Sequence, residues 1–283
     1  MKSVVVTGVS SGIGWGATKV LIQKGFRVFG SVRKAADAER LSQEFGPNFV
    51  PLIFDVTDEM AVRAAAAQVD KALEGQTLAG LVNNAGVAVA GPLLELPIAD
   101  FRQQIDVNLT GVVIATQAFA PLLAVGPNRK GSPGRVINIS SVGGRNGNPF
   151  LAPYVASKFA IEGLSESLRR ELLLLGVDVI IVAPGAVATA IWGKAKDEDL
   201  VPYEKSVFYP ALQKVFAYMK SNGAKGLPAE QLGELVAKVL TIAKPKVRYT
   251  IAPDALQTFM LASLPRRMVD KMIGGQLGLL PKT

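Results

Sequence analysis

The 283-residue chain predicts a doubly wound α/β fold, a parallel sheet of about seven strands with helices on both faces, in a single domain spanning 1–283. Three observations predict it. Short β-branched runs alternate with longer helical segments along the chain. Several runs, such as Val136-Ile137-Asn138-Ile139, are apolar on both faces, as a strand covered by helices on each side requires. The first run also enters a glycine-rich turn and then a helical segment, the opening of a βαβ unit.

In chain order, Ser3-Val4-Val5-Val6-Thr7 is the first strand, and the glycine turn leads into a helix near 13–24. Strand 27–32, helix 35–45, strand 49–54 and helix 58–74 complete the first half. Strand 78–82 precedes a helix spanning 98–124. Residues 126–134, rich in Gly, Pro and Asn, form a surface loop before strand 135–139. Helix 153–175 follows. The apolar stretch Leu172 to Trp192 is broken by Gly176, Asp178, Pro184 and Gly185, so it reads as a helix end plus the buried strand 178–183, not a membrane span. Residues 189–226 loosen into helix-like pieces with several aromatics, the expected substrate lid. Strand 247–251 ends the sheet, and 252–283 holds an amphipathic segment with Leu264, Met268, Val269, Met272 and Ile273 on one face.

Composition narrows the chemistry. The chain has no Cys and no His, which excludes disulfides, thiolate nucleophiles, Cys- or His-ligated metals and a Ser-His-Asp triad. Acid–base work falls to Asp, Glu, Lys or Tyr, and no metal site is expected. Of the net charge of +8, most lies in residues 201–283, where 12 basic side chains face 5 acidic ones. Those lysines are scattered singly, so a solvated surface is expected and no nucleic-acid partner. Membrane-surface association through the C-terminal segment is the weaker alternative to packing on this chain or a partner subunit. A strand begins at once, with no room for a secretory leader, and a cytoplasmic protein is expected.

Thr7-Gly8-Val9-Ser10-Ser11-Gly12-Ile13-Gly14 joins the first strand to its helix. Glycine lets backbone turn tightly and approach a pyrophosphate, and the helix start offers free N–H groups and positive dipole. Further on stand Asp55-Val56-Thr57, Asn83-Asn84-Ala85-Gly86, Asp106-Val107-Asn108-Leu109, Ser140-Ser141, Tyr154 with Lys158 four residues later, and Pro184-Gly185 with Thr189. The T-G-x-x-x-G-x-G spacing and this ordered set resemble the short-chain dehydrogenase/reductase family in its non-extended branch. The resemblance covers residues 3–192 fully, and it is strongest to the hydroxysteroid and retinol dehydrogenase group.

That resemblance implies a Rossmann-type nicotinamide oxidoreductase with Asn108, Ser141, Tyr154 and Lys158 as catalytic residues. Tyr154 is the acid or base. Ser141, thirteen positions before it, binds the carbonyl oxygen, with Ser140 as the neighbouring alternative. Asn108 holds Lys158 through a water. Tyr154 and Lys158 share one helix face, where the ammonium is expected to lower the phenol's pKa. The implied cofactor site comprises Gly8, Ser10, Ser11, Gly12, Ile13, Gly14, Asp55, Val56, Asn84, Ala85, Gly86, Tyr154, Lys158, Pro184, Gly185, Val187 and Thr189. At the end of strand 27–32, NAD-selective members carry an acid where this chain has Val32, followed by Arg33. A guanidinium there suits a 2′-phosphate, so NADP(H) is preferred and NAD(H) is the second candidate. Val187, Ile191, Trp192, Phe208, Tyr209, Phe216 and Tyr218 suggest a pocket for a hydrophobic carbonyl or alcohol, steroid- or retinoid-like. A homodimer or homotetramer is implied by resemblance alone. Two other functions fit parts of the pattern: a ketoacyl-carrier reductase docking through Arg129, Lys130 and Arg135, and a non-catalytic NADP(H) sensor.

Overall fold

The computed structural model describes residues 1–188, 197–253 and 263–281. Its strands are β1 (Ser3–Val6), β2 (Arg27–Val32), β3 (Phe49–Ile53), β4 (Gly80–Asn83), β5 (Arg135–Ile139), β6 (Asp178–Pro184) and β7 (Arg248–Ile251). They form one parallel sheet in the order β3-β2-β1-β4-β5-β6-β7. The two-residue strand period divides the core. Val4, Val6, Val28, Val82, Ile137, Ile180 and Val182 face one side, while Val5, Phe29, Leu81, Val136 and Val179 face the other. Every residue of β1 and β4 is buried, which is why their sequences are apolar without alternation.

The helices are α1 (Gly12–Gln23), α2 (Ala35–Phe45), α3 (Glu59–Leu73), α4 (Ile98–Ile105), α5 (Gly111–Phe119), α6 (Ala152–Glu171), α7 (Tyr209–Ala224), α8 (Ala229–Thr241) and α9 (Arg266–Leu277). Helix α8 is absent from the sequence expectation. Its Leu232, Val236, Val239 and Leu240, buried against the β1 side of the sheet, carry a 3.6-residue signal that follows Pro228 and was there to be read. It packs against α1 through glycines: a Cβ on Gly16 would fall 2.5 Å from the Ala229 carbonyl carbon, and one on Gly233 would fall 2.6 Å from Gly16 O.

The helix expected over 98–124 is interrupted. Between α4 and α5, Asp106–Thr110 forms a π turn, and the rod closes in a 3₁₀ turn at Ala120–Leu122. The extra residue in a π turn moves side chains off their α-helical positions, and Asn108 sits in its middle. By length and composition Ile98–Leu122 is apolar enough to cross a membrane, yet α5 here packs its apolar side onto α3 and the sheet.

Of the expected lid, residues 197–226 are described. A 3₁₀ turn (Asp197–Tyr203) and α7 build a third apolar cluster in which Leu200, Tyr203, Leu212 and Phe216 pack with Phe150 and Leu151. Helix α9 is pinned to this unit. Lys214 Nζ donates to the carbonyls of Gln276 and Leu277, and Leu277 and Leu279 pack on the cluster, while Met268 and Met272 stay exposed.

Candidate active site

In this strand order the chain leaves β1 toward β2 and β3 but leaves β4 toward β5, β6 and β7. The connections therefore part between β1 and β4, and a crevice opens beyond their carboxyl ends. A cleft of about 420 Å³ lies there. Its walls include Gly8, Ser10, Ser11, Gly12, Ile13, Arg33, Asp55, Val56, Asn84, Ala85, Gly86, Asn108, Ser141, Tyr154, Lys158, Pro184, Gly185 and Val187. Two of the predicted catalytic and cofactor residues are not among them. Gly14 lies behind the wall, where a Cβ would fall 2.2 Å from Gly8 O, so its role is to let α1 start tightly under the loop. Thr189 lies outside the described residues, as do Ile191 and Trp192. The cleft also takes in residues the motifs did not flag, notably Phe54, Val87, Ala88 and Ile139.

Polar side chains weld the glycine turn to the segment after β4. Thr7 Oγ1 accepts the N–H groups of Asn84 (2.9 Å) and Ala85 (3.0 Å), and Asn84 Nδ2 donates to the carbonyls of Thr7 (2.9 Å) and Gly8 (3.0 Å). Gly8 has φ +70, and a Cβ there would sit 2.8 Å from Ala85 Cα, so only glycine fits. Ser31 Oγ accepts the Gly8 N–H (2.9 Å), so this serine supports the turn. At the start of α1, Ser11 makes no side-chain cap and the first turn carries no acid, leaving its N–H groups and dipole for an anion. This free helix start beside a glycine turn fits the pyrophosphate of a dinucleotide.

At the other end, β5 runs into a 3₁₀ turn, Val142–Gly144, capped by Ser141, whose Oγ accepts the Gly143 N–H at 3.0 Å. A Cβ on Gly143 would lie 3.4 Å from Ser141 Oγ and 3.6 Å from the Tyr154 ring, so the turn passes close to both. Ser140 also borders the cleft, but its buried hydroxyl would lie 2.7 Å from a Cβ on Gly144, on the side of the turn where Glu162 and the Lys158 carbonyl sit. That leaves Ser141 as the serine beside the phenol. Tyr154 and Lys158 lie one turn apart on α6. Lys158 Nζ donates to Ile139 O (2.8 Å) and sits 5.7 Å from the Tyr154 ring centroid. Buried Asn108 accepts the Val87 N–H (2.8 Å) and donates to Val87 O (3.0 Å) and Ser157 Oγ (3.1 Å).

The electrostatics correct one expectation. Burial pushes the Tyr154 phenol above 10, and a side-chain hydrogen bond with Ser141 opposes this without reversing it. Burial also lowers Lys158 from 10.5 to about 8. The ammonium, with the positive ring of an oxidised nicotinamide beside it, was expected to make the phenol more acidic, whereas in the protein alone burial decides the direction.

Arg33 lies at the cleft rim, 68% exposed, with Nη1 3.8 Å from Asp55 Oδ2, while the Asp55 carboxylate also accepts from Thr57 N and Oγ1. Of the aromatics expected to line a substrate pocket, Phe216 is buried inside the third cluster, Phe208 and Tyr209 pack against it, and Tyr218 faces solvent. Of the expected pocket residues that are described, Val187 is the one that meets the cleft. Of the three carrier-docking cations, Lys130 is exposed and the two arginines are engaged within the fold. Arg129 pairs with Asp70 (2.6 Å), and Arg135 donates to the Val239 carbonyl.

The profile of the short chain dehydrogenases matches residues 2–200, most of the chain. The chain belongs to the short-chain dehydrogenase/reductase family. It is therefore an oxidoreductase, and its sheet and helices are that family's Rossmann-like domain. It is similar to an NADPH-dependent 3-dehydrocapnine reductase of Ornithobacterium rhinotracheale, 40% identical over 274 residues and 96% of each chain. Human retinol dehydrogenase 5 is 33% identical over 286 residues, covering 95% of this chain and 87% of that one. Among solved structures, a short-chain dehydrogenase from Streptomyces avermitilis superposes with a TM-score of 0.77 at 25% identity, covering 100% of this chain and 98% of the other. These relatives support the retinol and hydroxysteroid dehydrogenase-like branch of the family.

Proposed function

We propose that this short-chain dehydrogenase/reductase is an NADP(H)-dependent reductase of a carbonyl compound. The observation that carries the reading is the meeting, in one cleft, of a free helix start, an arginine at the end of β2 with no acid in its place, and Ser141, Tyr154 and Lys158 at the far end. The NADPH dependence in the name of the 40%-identical relative supports the cofactor.

The bound dinucleotide would supply hydride to the carbonyl carbon. Gly8, Ser10 to Ile13 and the first turn of α1 would hold its pyrophosphate. Arg33 would accept a 2′-phosphate with charge-assisted hydrogen bonds. Ser141 Oγ and Tyr154 Oη would both reach the carbonyl oxygen and stabilise its developing charge. The phenol, which burial holds above its ordinary value, is protonated throughout the neutral range, the form that donates a proton to that oxygen. Lys158, anchored by Ile139 O, would present its remaining N–H donors to the cofactor ribose and its charge to the phenol.

A hydrophobic ketone or aldehyde remains part of this reading on the strength of the retinol dehydrogenase relative and the apolar wall at Val87, Ala88 and Val187. The test is oxidation of NADPH and NADH over carbonyls from small and polar to steroid-sized, with Tyr154→Phe alongside. NADPH-preferring turnover that Tyr154→Phe reduces at least about a hundredfold, with cofactor affinity kept, is expected from loss of a positioned acid. Full activity in Tyr154→Phe overturns the assignment.

A further inference from the structure

Among the described residues no strand pairs with the segment after β4, yet it is bonded as though one did. The backbone N–H groups of Ala85, Val87, Val89 and Gly91, every second residue, donate to Thr7 Oγ1 (3.0 Å), Asn108 Oδ1 (2.8 Å), Gln104 Oε1 (2.7 Å) and Phe150 O (2.8 Å). Val87 O accepts from Asn108 Nδ2 (3.0 Å) and from Gln104 Nε2. In the middle of this run the missing strand is replaced by two carboxamides on neighbouring turns of one helical rod. Four helical residues advance about 6 Å and two strand residues about 6.7 Å, so Gln104 and Asn108 can face Val89 and Val87 in register.

Gln104 is fully buried, at 0% exposure. An apolar side chain would fill that space without placing an amide away from water. What the amide adds is the clamp. From there the bonds continue: Asn108 Nδ2 donates to Ser157 Oγ (3.1 Å), which donates to Tyr154 O (2.7 Å). Val87 and Ala88 line the same cleft as Tyr154. The Val87–Ala88 wall and the Tyr154 backbone are thus joined by one hydrogen-bonded chain, with Gln104 attached at its wall end.

We propose that Gln104 is a positioning residue for the reaction: it holds the Val87–Ala88 wall at a fixed distance from Tyr154 and so sets how the carbonyl substrate meets the phenol. This rests on the reductase reading above. The adenosine end of the cleft, at Arg33 and Asp55, is not part of the chain of bonds, so cofactor affinity is expected to respond less to Gln104 than the carbonyl KM does.

Gln104→Leu and Gln104→Glu in the full chain test it, with NADPH Kd, carbonyl KM, kcat and amide hydrogen exchange over 85–91 measured for each. In Gln104→Leu, exchange over 85–91 speeds up at least tenfold and carbonyl KM rises about tenfold, while NADPH Kd stays within twofold. In Gln104→Glu, the ionised carboxylate cannot donate to Val87 O, whereas its protonated form can. The activity ratio to wild type therefore recovers several-fold as pH falls from 8 to 6. Unchanged exchange and KM, an NADPH Kd rising in step with KM, or a pH-independent Glu ratio overturns the proposal. If Gln104→Leu does not fold, the Glu ratio decides. A wild type without turnover refutes the reductase reading itself, whereas an active wild type with unaltered variants refutes only the role of Gln104.

Discussion

Replacing Lys158 by Met is expected to make the protein more stable while removing its activity. The side chain is 7% exposed and its charge has been taken out of water, which lowers its pKa from 10.5 to about 8. At about 1.4 kcal/mol per pKa unit, the ionised side chain costs the fold about 3 kcal/mol at pH 7. Methionine fills a similar volume without charge, but Ile139 O loses its donor, returning about 1 kcal/mol of that gain. The net is about 2 kcal/mol, or roughly 3–4 °C in Tm for a domain of this size. The pH dependence supplies the sharper check. Below pH 8 folded and unfolded chains both hold the proton, and the cost is fully present. Between 8 and 10.5 the unfolded chain holds a proton the folded one has released, so wild-type stability rises with pH across that window. Urea melts of both proteins at steps from pH 7 to 10.5 should show Lys158→Met ahead at pH 7 and the gap closing by the top of the range. A variant less stable than wild type at pH 7, or a gap that ignores pH, refutes the reasoning.

Three other perturbations test separate parts of the structure. Arg33→Ala should raise the NADPH Kd roughly 10- to 100-fold, the worth of a charge-assisted contact, and leave NADH within about threefold; equal losses in fluorescence titrations would mean that Arg33 does not read the 2′-phosphate. Gly16→Ala puts a methyl 2.5 Å from the Ala229 backbone, so α1 and α8 must part at a cost of about 1–3 kcal/mol, and an unchanged denaturation midpoint would contradict that packing. The kcat/KM for NADPH, which reports the free enzyme, should fall above about pH 8 as Lys158 loses its charge, and Lys158→Arg should move that fall to higher pH; a fall that stays put in the arginine variant belongs to some other group.

What could be read from the sequence was local or strictly periodic. The glycine turn, the Asn84 segment and the Tyr154–Lys158 pair are short patterns whose geometry follows from their spacing, and the strands are apolar because both faces are covered. What could not be read depended on partners distant in the chain. Gln104 looks like an ordinary solvent-facing helix residue until the segment at 87–89 is laid over it. Ser140 and Ser141 must point to opposite faces, but which of them meets the phenol depends on where α6 packs. Among the aromatics of 203–218, only the fold shows that Tyr203 and Phe216 are buried with Phe150 and Leu151 while Tyr218 faces solvent. Helix α8 is different: its periodicity was present, and its place in the sheet layer against α1 follows from it.

The reversed pKa argument at Tyr154 shows why a motif can carry the right residues and the wrong sign. An ammonium one helical turn from a phenol attracts a phenolate, and in water that would be the whole effect. Burial penalises both charged forms at once, so it raises the phenol and lowers the lysine, and each shift favours the neutral pair. The chain's own groups therefore keep the proton on Tyr154 with a lysine close to giving up its charge. Negative charge brought into the cleft changes the balance for both. Phosphate or ribose oxygens near Lys158 favour the ammonium, and a carbonyl oxygen gaining charge beside Tyr154 draws the phenol's proton. The acid–base pair is thus set by what the cleft binds as much as by the two residues four positions apart, and only the residues are written in the sequence.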